Sequence, residues 1–267
     1  MRILITGVAG RIGSVLATGL APSHDIRGLD IRTPDRAFSA GVVVGDCADP
    51  EIAARAVDGM DAVVHLAGVP SEADLPTILH GHVESTAALL DAMVRSGVGR
   101  MAYASSNHAV GMTPRSELVT VDVRTRPDTF YGVGKVAAEA LLSLYADRYG
   151  ITSVAMRIGS FQPAPRTRRH LETWLSPDDC VRMVEAAVTA DVQGFHVIYG
   201  ISANRDAWWD LGPGRALGFQ PQDDGSDHAA AVVDRPEDAA EAAHVGGDFT
   251  GGAMDRRPFD PAGDEPA

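Results

Sequence analysis

Two side chains with complementary acid–base chemistry lie one helical turn apart near the middle of the chain. Tyr131 and Lys135 are four residues apart, which places a phenol and an ammonium on one face of the helix predicted over residues 130–148. A tyrosine acts as a base near neutral pH only if its pKa falls by about 3 units, and a neighbouring positive charge acts in that direction. Lys135 is the only lysine beside 22 arginines, so we interpret the pair as a proton-transfer site rather than a surface helix pair.

A short polar run, Ser-Ser-Asn-His at residues 105–108, follows the fifth predicted strand. The carboxyl ends of the strands hold the ligands in open α/β sheets. A hydroxyl at such a position can donate a hydrogen bond to the reacting oxygen. We therefore predict Ser106 as a catalytic residue together with Tyr131 and Lys135.

A glycine-rich loop lies between the first predicted strand and the first predicted helix. Glycines at this spacing make a tight turn and let the backbone approach a pyrophosphate, while the N-terminus of the helix faces the negative charge. The position directly behind an apolar strand predicts a dinucleotide site. Its predicted contacts are Gly7, Gly10, Arg11, Ile12 and Gly13.

The ends of the next strands refine the cofactor prediction. Asp30 ends the second predicted strand, where a carboxylate would accept hydrogen bonds from both ribose hydroxyls and repel a 2′-phosphate. Asp30 therefore favours NAD over NADP, although Arg32 could hold that phosphate. The remaining expected contacts are Asp46 and Cys47 near the adenine, and Leu66, Ala67 and Gly68 where the cofactor crosses the edge of the sheet.

Short β-branched runs alternate with helical patterns, which predicts an α/β fold with a Rossmann-type, doubly wound parallel sheet. We expect strands at residues 2–6, 25–30, 42–45, 62–66, 100–104, 152–157 and 195–199, and helices at 12–20, 51–57, 76–96, 130–148 and from about 176. The expected domains are a dinucleotide-binding core at 1–160, a small substrate-side lobe at 161–220 packed on that core, and an acidic C-terminal tail at 221–267. We expect part of the tail to be disordered, with one helix at 236–244.

The composition excludes several classes of protein. A net charge of −13 argues against nucleic acid or an anionic membrane as a partner, and the tail alone carries 12 acidic side chains against 3 arginines. No run approaches 18 apolar residues, and the N-terminal apolar run is too short for a signal peptide, so we expect no membrane span and no export. Two cysteines without metal-ligand spacing predict no metal site and a reducing, cytoplasmic environment.

The glycine loop, the strand-end Ser106 and the Tyr131/Lys135 pair resemble the extended short-chain dehydrogenase/reductase superfamily. Further segments are similar to the uronate dehydrogenases of that superfamily, at residues 105–108, 157–160, 173–179, 202–204, 208–210 and 249–252. The resemblance implies oxidation of aldohexuronic acids, D-galacturonate and D-glucuronate, at C1 by hydride transfer to NAD, which gives aldarolactones.

The resemblance also implies roles for single residues. Tyr131 would be the proton acceptor, Lys135 the partner that lowers its pKa, and Ile158 a further cofactor contact. Arg169 would hold the substrate carboxylate, a role that suits a planar guanidinium in an acidic protein. The other implied substrate contacts are Ser71, Ser106, Asn107, His108 and Ser160.

Two positions depart from the superfamily pattern. His82 stands where members often carry an asparagine at a backbone distortion that holds a relay water, and the loop at residues 69–71 has a proline where relatives offer a hydroxyl. Both the relay and the contact at Ser71 are therefore open.

Two other functions also stay open. A nucleotide-sugar epimerase or dehydratase would retain NAD through its cycle, but little protein follows residue 157 to enclose a nucleotide. A non-catalytic NAD-sensing module would bind a protein partner and would turn over no sugar. The sequence also leaves homo-oligomerisation open.

Overall fold

The computed structural model describes residues 1–115 and 118–259 and has a parallel sheet at its centre. The sheet has the strand order β3-β2-β1-β4-β5-β6-β9, and every pair of neighbours is parallel. A small parallel pair, β7-β8, lies apart from it. The strands are β1 (Arg2–Thr6), β2 (Asp25–Asp30), β3 (Val42–Val44), β4 (Ala62–His65), β5 (Arg100–Ser106), β6 (Thr152–Ile158), β7 (Ser160–Phe161), β8 (Trp174–Leu175) and β9 (Phe195–Gly200). This arrangement confirms the predicted fold class.

Helices cover both faces of the sheet. Apolar residues of α1 and α7 form one core with the strands, and residues of α2, α4 and α5 form the other. Parallel strands buried on both faces read as short, continuous apolar runs, as this sequence does. The helices are α1 (Arg11–Gly19), α2 (Pro50–Val57), α3 (Leu75–Ile78), α4 (Ser85–Ser96), α5 (Phe130–Tyr149), α6 (Arg168–Thr173), α7 (Pro177–Thr189), α8 (Gly212–Ala216) and α9 (Asp238–Glu241).

The ends of α5 matter most, because this helix carries Tyr131 and Lys135. The side chain of Thr129 accepts a hydrogen bond from the backbone N–H of Gly132 and so caps the first turn. The helix ends at Gly150, whose φ of +70° is the left-handed conformation that glycine adopts without strain. Both boundaries follow from local sequence signals.

Two elements differ from the sequence expectation near the cleft. Strand β5 extends to Ser106, two residues beyond the predicted end, because its backbone stays paired with β6, where Ser105 lies opposite Arg157 and Ser106 opposite Ile158. The helix predicted over residues 76–96 is interrupted by a π-helical segment, Leu79–Glu84, between α3 and α4. Such segments insert a residue into the helical ladder and are frequent at functional sites.

The described part of the expected tail, residues 221–259, is packed on the core. Val245 is fully buried, its N–H donates to the carbonyl of Thr113 at 3.0 Å, and the N–H of Gly246 donates to Gly111 at 2.9 Å. The helix expected at 236–244 is reduced to α9. These described residues are held through backbone pairing, which composition does not report. Residues 260–267 of the expected tail lie outside the described residues.

The length and charge of the helices bear on the membrane expectation. Within residues 1–115 and 118–259, no helix combines the length and apolar character that a bilayer span requires. The longest helix, α5, has 20 residues and places Lys135 and Glu139 in its interior.

Two fully buried histidines and one half-buried histidine predict a loss of stability in mild acid. Burial lowers the pKa of His65 to about 3, that of His82 to about 2 and that of His170 to about 4. An unfolded histidine titrates near pH 6.5, so the unfolded chain takes up these protons first as the pH falls. The free energy of unfolding therefore decreases below pH 6.5, by at most about 1.4 kcal/mol per pH unit for each histidine.

Urea unfolding at about pH 7.5 and about pH 5.5 measures this effect, because carboxylates whose pKa is lowered by folding lose their contribution only nearer pH 4. The midpoint should fall at the lower pH, and His65→Gln should make the decrease smaller. Equal midpoints at the two pH values would contradict the prediction.

Candidate active site

A cavity of about 730 Å³ opens at the carboxyl ends of β1, β4 and β5, where the strand order reverses. Its lining includes every residue that the sequence assigned to the cofactor. These are Gly7, Gly10, Arg11, Ile12, Gly13, Asp30, Asp46, Cys47, Leu66, Ala67, Gly68, Tyr131, Lys135 and Ile158. The fold therefore brings the predicted set to one place.

The glycine loop has the geometry of a pyrophosphate cradle. Gly7 has a φ of +67°, and a Cβ there would lie 2.9 Å from the backbone nitrogen of Ala67. A Cβ on Gly13 would lie 2.7 Å from the Cα of Val8, so neither position tolerates a side chain. Helix α1 begins after Gly10 without a side-chain cap, which leaves its first N–H groups for a ligand. These residues fit the diphosphate of a dinucleotide.

The carboxylate of Asp30 is held in place at the ribose end of the cavity. One oxygen accepts from the N–H of Ala9 at 2.9 Å, and the other accepts from the N–H of Arg32 at 3.0 Å. The guanidinium of Arg32 is 69% exposed and lies 3.7 Å from the same carboxylate. Because Asp30 is fixed and Arg32 is paired with it, this end favours a free 2′-hydroxyl over a phosphate.

A histidine that sequence reasoning missed lies at the adenine end. His80, in the π-helical segment, lines the cavity and places its Nε2 2.8 Å from Asp46 and its Nδ1 2.8 Å from Glu84. Burial opposes the ionisation of Asp46, but hydrogen bonds from the backbone of Ala48 and from His80 leave its pKa lowered. No local sequence pattern identifies His80 as a site residue. Its place at the cavity depends on the π-helical distortion, which the sequence pattern does not predict.

The predicted acid–base pair is formed on the wall of the cavity. Tyr131 and Lys135 face the same space, with the Nζ of Lys135 5.4 Å from the centre of the Tyr131 ring. Nζ also donates to the carbonyl of Ala104 at 2.6 Å, and Lys135 is only 4% exposed. The ammonium therefore lies between the phenol and the end of β5.

Burial shifts the pKa of both members of this pair in the free protein. It raises the pKa of Tyr131 to about 12, while the hydroxyl of Ser106 acts in the opposite direction. It lowers the pKa of Lys135 to about 7, opposed by Glu139 one turn further along the helix. A lowering of the tyrosine pKa by Lys135 therefore stays a prediction for the complex with NAD, whose positive ring acts in the same direction.

A buried ion pair stabilises the strand that presents the serines. Arg157 on β6 forms two hydrogen bonds with Glu139 on α5, at 3.0 and 2.9 Å, and Ser105 donates to the same carboxylate. Both charged side chains are nearly inaccessible to solvent. Each is fully hydrogen-bonded, as a buried charge requires. The pair fixes β5, β6 and α5 relative to one another just below Ser106.

The first turn of α5 is also held from the loop after β4. The carboxylate of Glu72 accepts from the N–H of Phe130 at 3.2 Å and from the N–H of Tyr131 at 2.8 Å. A carboxylate at a helix N-terminus satisfies free donors and complements the helix dipole. Sequence reasoning missed Glu72, since a residue 58 positions before the helix carries no local capping signal.

The predicted substrate residues divide into two groups. Ser106 and His108 line the cavity, beside Tyr131. The other four lie outside its lining and are Ser71, Asn107, Ser160 and Arg169. Asn107 is buried, and its polar atoms are hydrogen-bonded within the protein. Its side-chain amide donates to the carbonyl of Val245 at 3.1 Å, and its oxygen accepts from Ser106 at 3.3 Å. Its contacts therefore join the strand end to the C-terminal segment.

Arg169 is a buried guanidinium without a carboxylate partner among the described residues. One Nη donates to the carbonyl of Val245 at 2.7 Å, the other lies 3.4 Å from the hydroxyl of Ser160, and Nε has no hydrogen-bond partner in the described part of the chain. Burial lowers the pKa of Arg169, although several acidic groups in its surroundings act in the opposite direction. A buried cation with an unpaired donor is a place for an anion.

Two further aromatic side chains, His82 and Phe249, line the cavity. His82 lies in the π-helical segment, where its Nε2 donates to the carbonyl of Val69 at 3.1 Å and its Nδ1 has no partner. The backbone distortion expected at this place is present, with the histidine in it. Phe249, from the C-terminal segment, lines the cavity and stacks on His108 at 4.1 Å between ring centres. The segment that was expected to be a tail therefore completes the site.

Comparison with known proteins agrees with this geometry. The profile of the NAD dependent epimerase/dehydratase family matches residues 3–176. A uronate dehydrogenase from Pseudomonas syringae pv. tomato is 38% identical over 93% of this chain and 92% of its own. A complex of the Agrobacterium tumefaciens uronate dehydrogenase with NAD has a TM-score of 0.89 at 35% identity, and covers 97% of this chain and 98% of that one.

A crystal structure of a glucuronic acid dehydrogenase from Chromohalobacter salexigens has a TM-score of 0.90 at 33% identity, over 97% of this chain and 98% of that one. The family match confirms the predicted NAD cofactor. The chain belongs to the NAD dependent epimerase/dehydratase family, and within it its similarity to uronate dehydrogenases extends over about nine tenths of its length.

Proposed function

We propose that this protein oxidises the C1 hydroxyl of aldohexuronic acids, such as D-galacturonate and D-glucuronate, to aldarolactones with NAD. The observation that carries the proposal is the guanidinium of Arg169, whose Nε has no hydrogen-bond partner among the described residues and which shares the carbonyl of Val245 with Asn107, next to Ser106 on the wall that carries the phenol and the ammonium. A uronate offers both of the groups that this site needs, a carboxylate for the guanidinium and an alcohol for the phenol.

Arg169 supplies the recognition of the acid. A guanidinium binds a carboxylate through two parallel hydrogen bonds, and Nε together with one Nη forms such a fork. Ser160 and the carbonyl of Val245 hold the other side of the group, which fixes its direction. In a protein of net charge −13, a focused cation is also what attracts an anionic substrate.

Tyr131 and Ser106 act on the alcohol. The hydroxyl of Ser106 stabilises the reacting oxygen while Tyr131 accepts the proton of the C1 hydroxyl. The ammonium of Lys135 lies between the phenol and the carbonyl of Ala104, to which it donates a hydrogen bond. It can therefore pass a proton from the phenol out of the cleft. NAD, when bound, supplies the two-electron acceptor, and its positive ring favours the ionised phenol.

The same proposal assigns a different role to each of three parts of the chain. Residues 1–160 form the dinucleotide-binding core, residues 161–220 contribute Arg169 on α6, and residues 221–267 contribute the segment with Val245 and Phe249. The two cysteines, Cys47 and Cys180, are buried and free, in keeping with the cytoplasm as the predicted compartment.

Absorbance of NADH formed from galacturonate, glucuronate, galactose and glucose, with NAD and NADP in parallel, tests the function directly. We expect net NADH formation with the uronates, and much less with neutral sugars or with NADP. Uronate conversion without net NADH would support an epimerase or dehydratase instead, and no turnover of any sugar would support a non-catalytic NAD-binding protein.

Replacement of Tyr131 by Phe removes the proton acceptor and leaves the ring in place. We expect kcat to fall by roughly 10²–10⁴, the range for loss of a positioned acid or base, while the Kd for NAD stays within about twofold. Tyr145→Phe is the matched control, because Tyr145 stacks on Tyr149 elsewhere on α5. Near-normal turnover by the Tyr131 variant would contradict the assigned role.

Arg169→Ala should raise KM for uronates about 10- to 100-fold, the effect of losing a charged hydrogen-bonded pair, and should leave the activity on neutral aldoses unchanged. Arg168→Ala is the control, since Arg168 is half-exposed and pairs with Asp234. An equal loss for neutral and acidic sugars would show that Arg169 has a structural role only.

A further inference from the structure

Next to the acid–base pair, the expected substrate contact His108 pairs with Asp128, a carboxylate to which the proposed function assigns no role. The Nδ1 of His108 is 2.7 Å from the carboxylate of Asp128, whose side chain is fully buried. The other oxygen of Asp128 accepts from the hydroxyl of Thr129 at 3.0 Å. The His108 ring packs edge-on against Tyr131, with ring centres 5.7 Å apart.

Three glycines from separate segments make room for this carboxylate. Gly111 follows the turn after β5, Gly132 lies in the first turn of α5, and Gly246 belongs to the C-terminal segment. A Cβ on Gly111 or Gly246 would overlap an oxygen of Asp128, and one on Gly132 would lie 3.2 Å from the other oxygen. The backbone on three sides is thus shaped around a carboxylate at residue 128.

The pairing with Asp128 determines whether the imidazole nitrogen that faces the cavity donates or accepts a hydrogen bond. An ionised carboxylate is an acceptor only, so the Nδ1 of His108 must carry the hydrogen. In a neutral imidazole the hydrogen on Nδ1 leaves Nε2 as an acceptor. Nε2 has no hydrogen-bond partner among the described residues, and the side chain keeps 14% exposure on the cavity wall.

The orientation of the ring is fixed as well as its tautomer. Phe249 stacks on one side of His108, and Tyr131 borders it edge-on. With Nδ1 tied to a buried carboxylate, the ring cannot rotate without leaving that charge unpaired, which is costly. Nε2 is therefore a preorganised acceptor beside the phenol that takes the C1 proton.

We propose that Asp128 is a positioning residue, which holds His108 in the Nδ1–H form so that Nε2 accepts a hydrogen bond from a sugar hydroxyl adjacent to C1. The inference rests on the proposed function and adds one detail to it: in the contact between His108 and the substrate, the sugar hydroxyl donates and the imidazole accepts. A site built to accept from a hydroxyl discriminates against a sugar that lacks that hydroxyl, because the buried acceptor is then left unpaired.

Asp128→Asn is nearly isosteric and removes the charge that selects the tautomer. We expect KM for galacturonate to rise about tenfold, the equivalent of one hydrogen bond, with kcat reduced less and the Kd for NAD unchanged within about twofold. Asp179→Asn is the control, because Asp179 is a fully buried carboxylate bound to backbone N–H groups of residues 222 and 223, away from the cavity. It should lower the thermal midpoint and leave KM unchanged.

A double-variant cycle separates positioning from a general structural role. In a His108→Ala background, Asp128→Asn should add no further increase in KM, because its effect passes through the imidazole. A full additional increase would overturn the proposal.

Nitrogen-15 NMR of the wild-type protein and of Asp128→Asn gives a readout that does not depend on turnover. We expect the resonances of His108 to show the hydrogen on Nδ1, and to shift toward the Nε2–H form in Asp128→Asn. A wild-type His108 in the Nε2–H form would overturn the proposal even if uronates are oxidised. Absence of uronate oxidation together with the Nδ1–H form would instead contradict the proposed substrate and leave the placement by Asp128 in force.

Discussion

The burial of a single ammonium beside a phenol is the interaction on which the site depends. Lys135 is 4% exposed, and burial lowers its pKa to about 7, opposed by Glu139 one turn away, while its Nζ donates to the carbonyl of Ala104. A buried charge tolerates little displacement of its partners. Strand β5 and helix α5 must therefore keep their relative positions, and Glu139 of α5, which accepts from Ser105 of β5 and from Arg157 of β6, holds them together beneath the cleft.

The same constraint explains why distant segments converge on the first turn of α5. Glu72 binds its N–H groups from the loop after β4, and Asp128 lies just before it among three glycines. The C-terminal segment adds the carbonyl of Val245, which accepts from both Asn107 and Arg169. In the proposed function, the Arg169 guanidinium and the first turn of α5 share one set of supports, so a shift in any of these supports would displace both the carboxylate-binding and the proton-accepting groups.

The sequence predicts the parts of this site whose chemistry requires a fixed local spacing. The glycines after β1, Asp30 at the end of β2 and the Tyr131/Lys135 pair all follow from the geometry of one turn or one strand end. Glu72, Asp128, Phe249 and the carbonyl of Val245 were not predicted as site groups, because their roles arise from contacts between segments far apart in the chain. The pKa of Tyr131 shows the same limit, since spacing reports the neighbouring lysine but not the burial, which raises that pKa.

The central claim is that burial keeps the phenol of Tyr131 protonated, with a pKa of about 12, until a positive ring is bound beside it. Ultraviolet titration of tyrosinate, taken as the difference between wild type and Tyr131→Phe, measures this pKa in the free protein and in complexes with NAD and with NADH. The account predicts a decrease of several units with oxidised NAD, on the order of the 3 units that neutral catalysis requires, and little change with the uncharged ring of NADH. An equal pKa in all three states would contradict it.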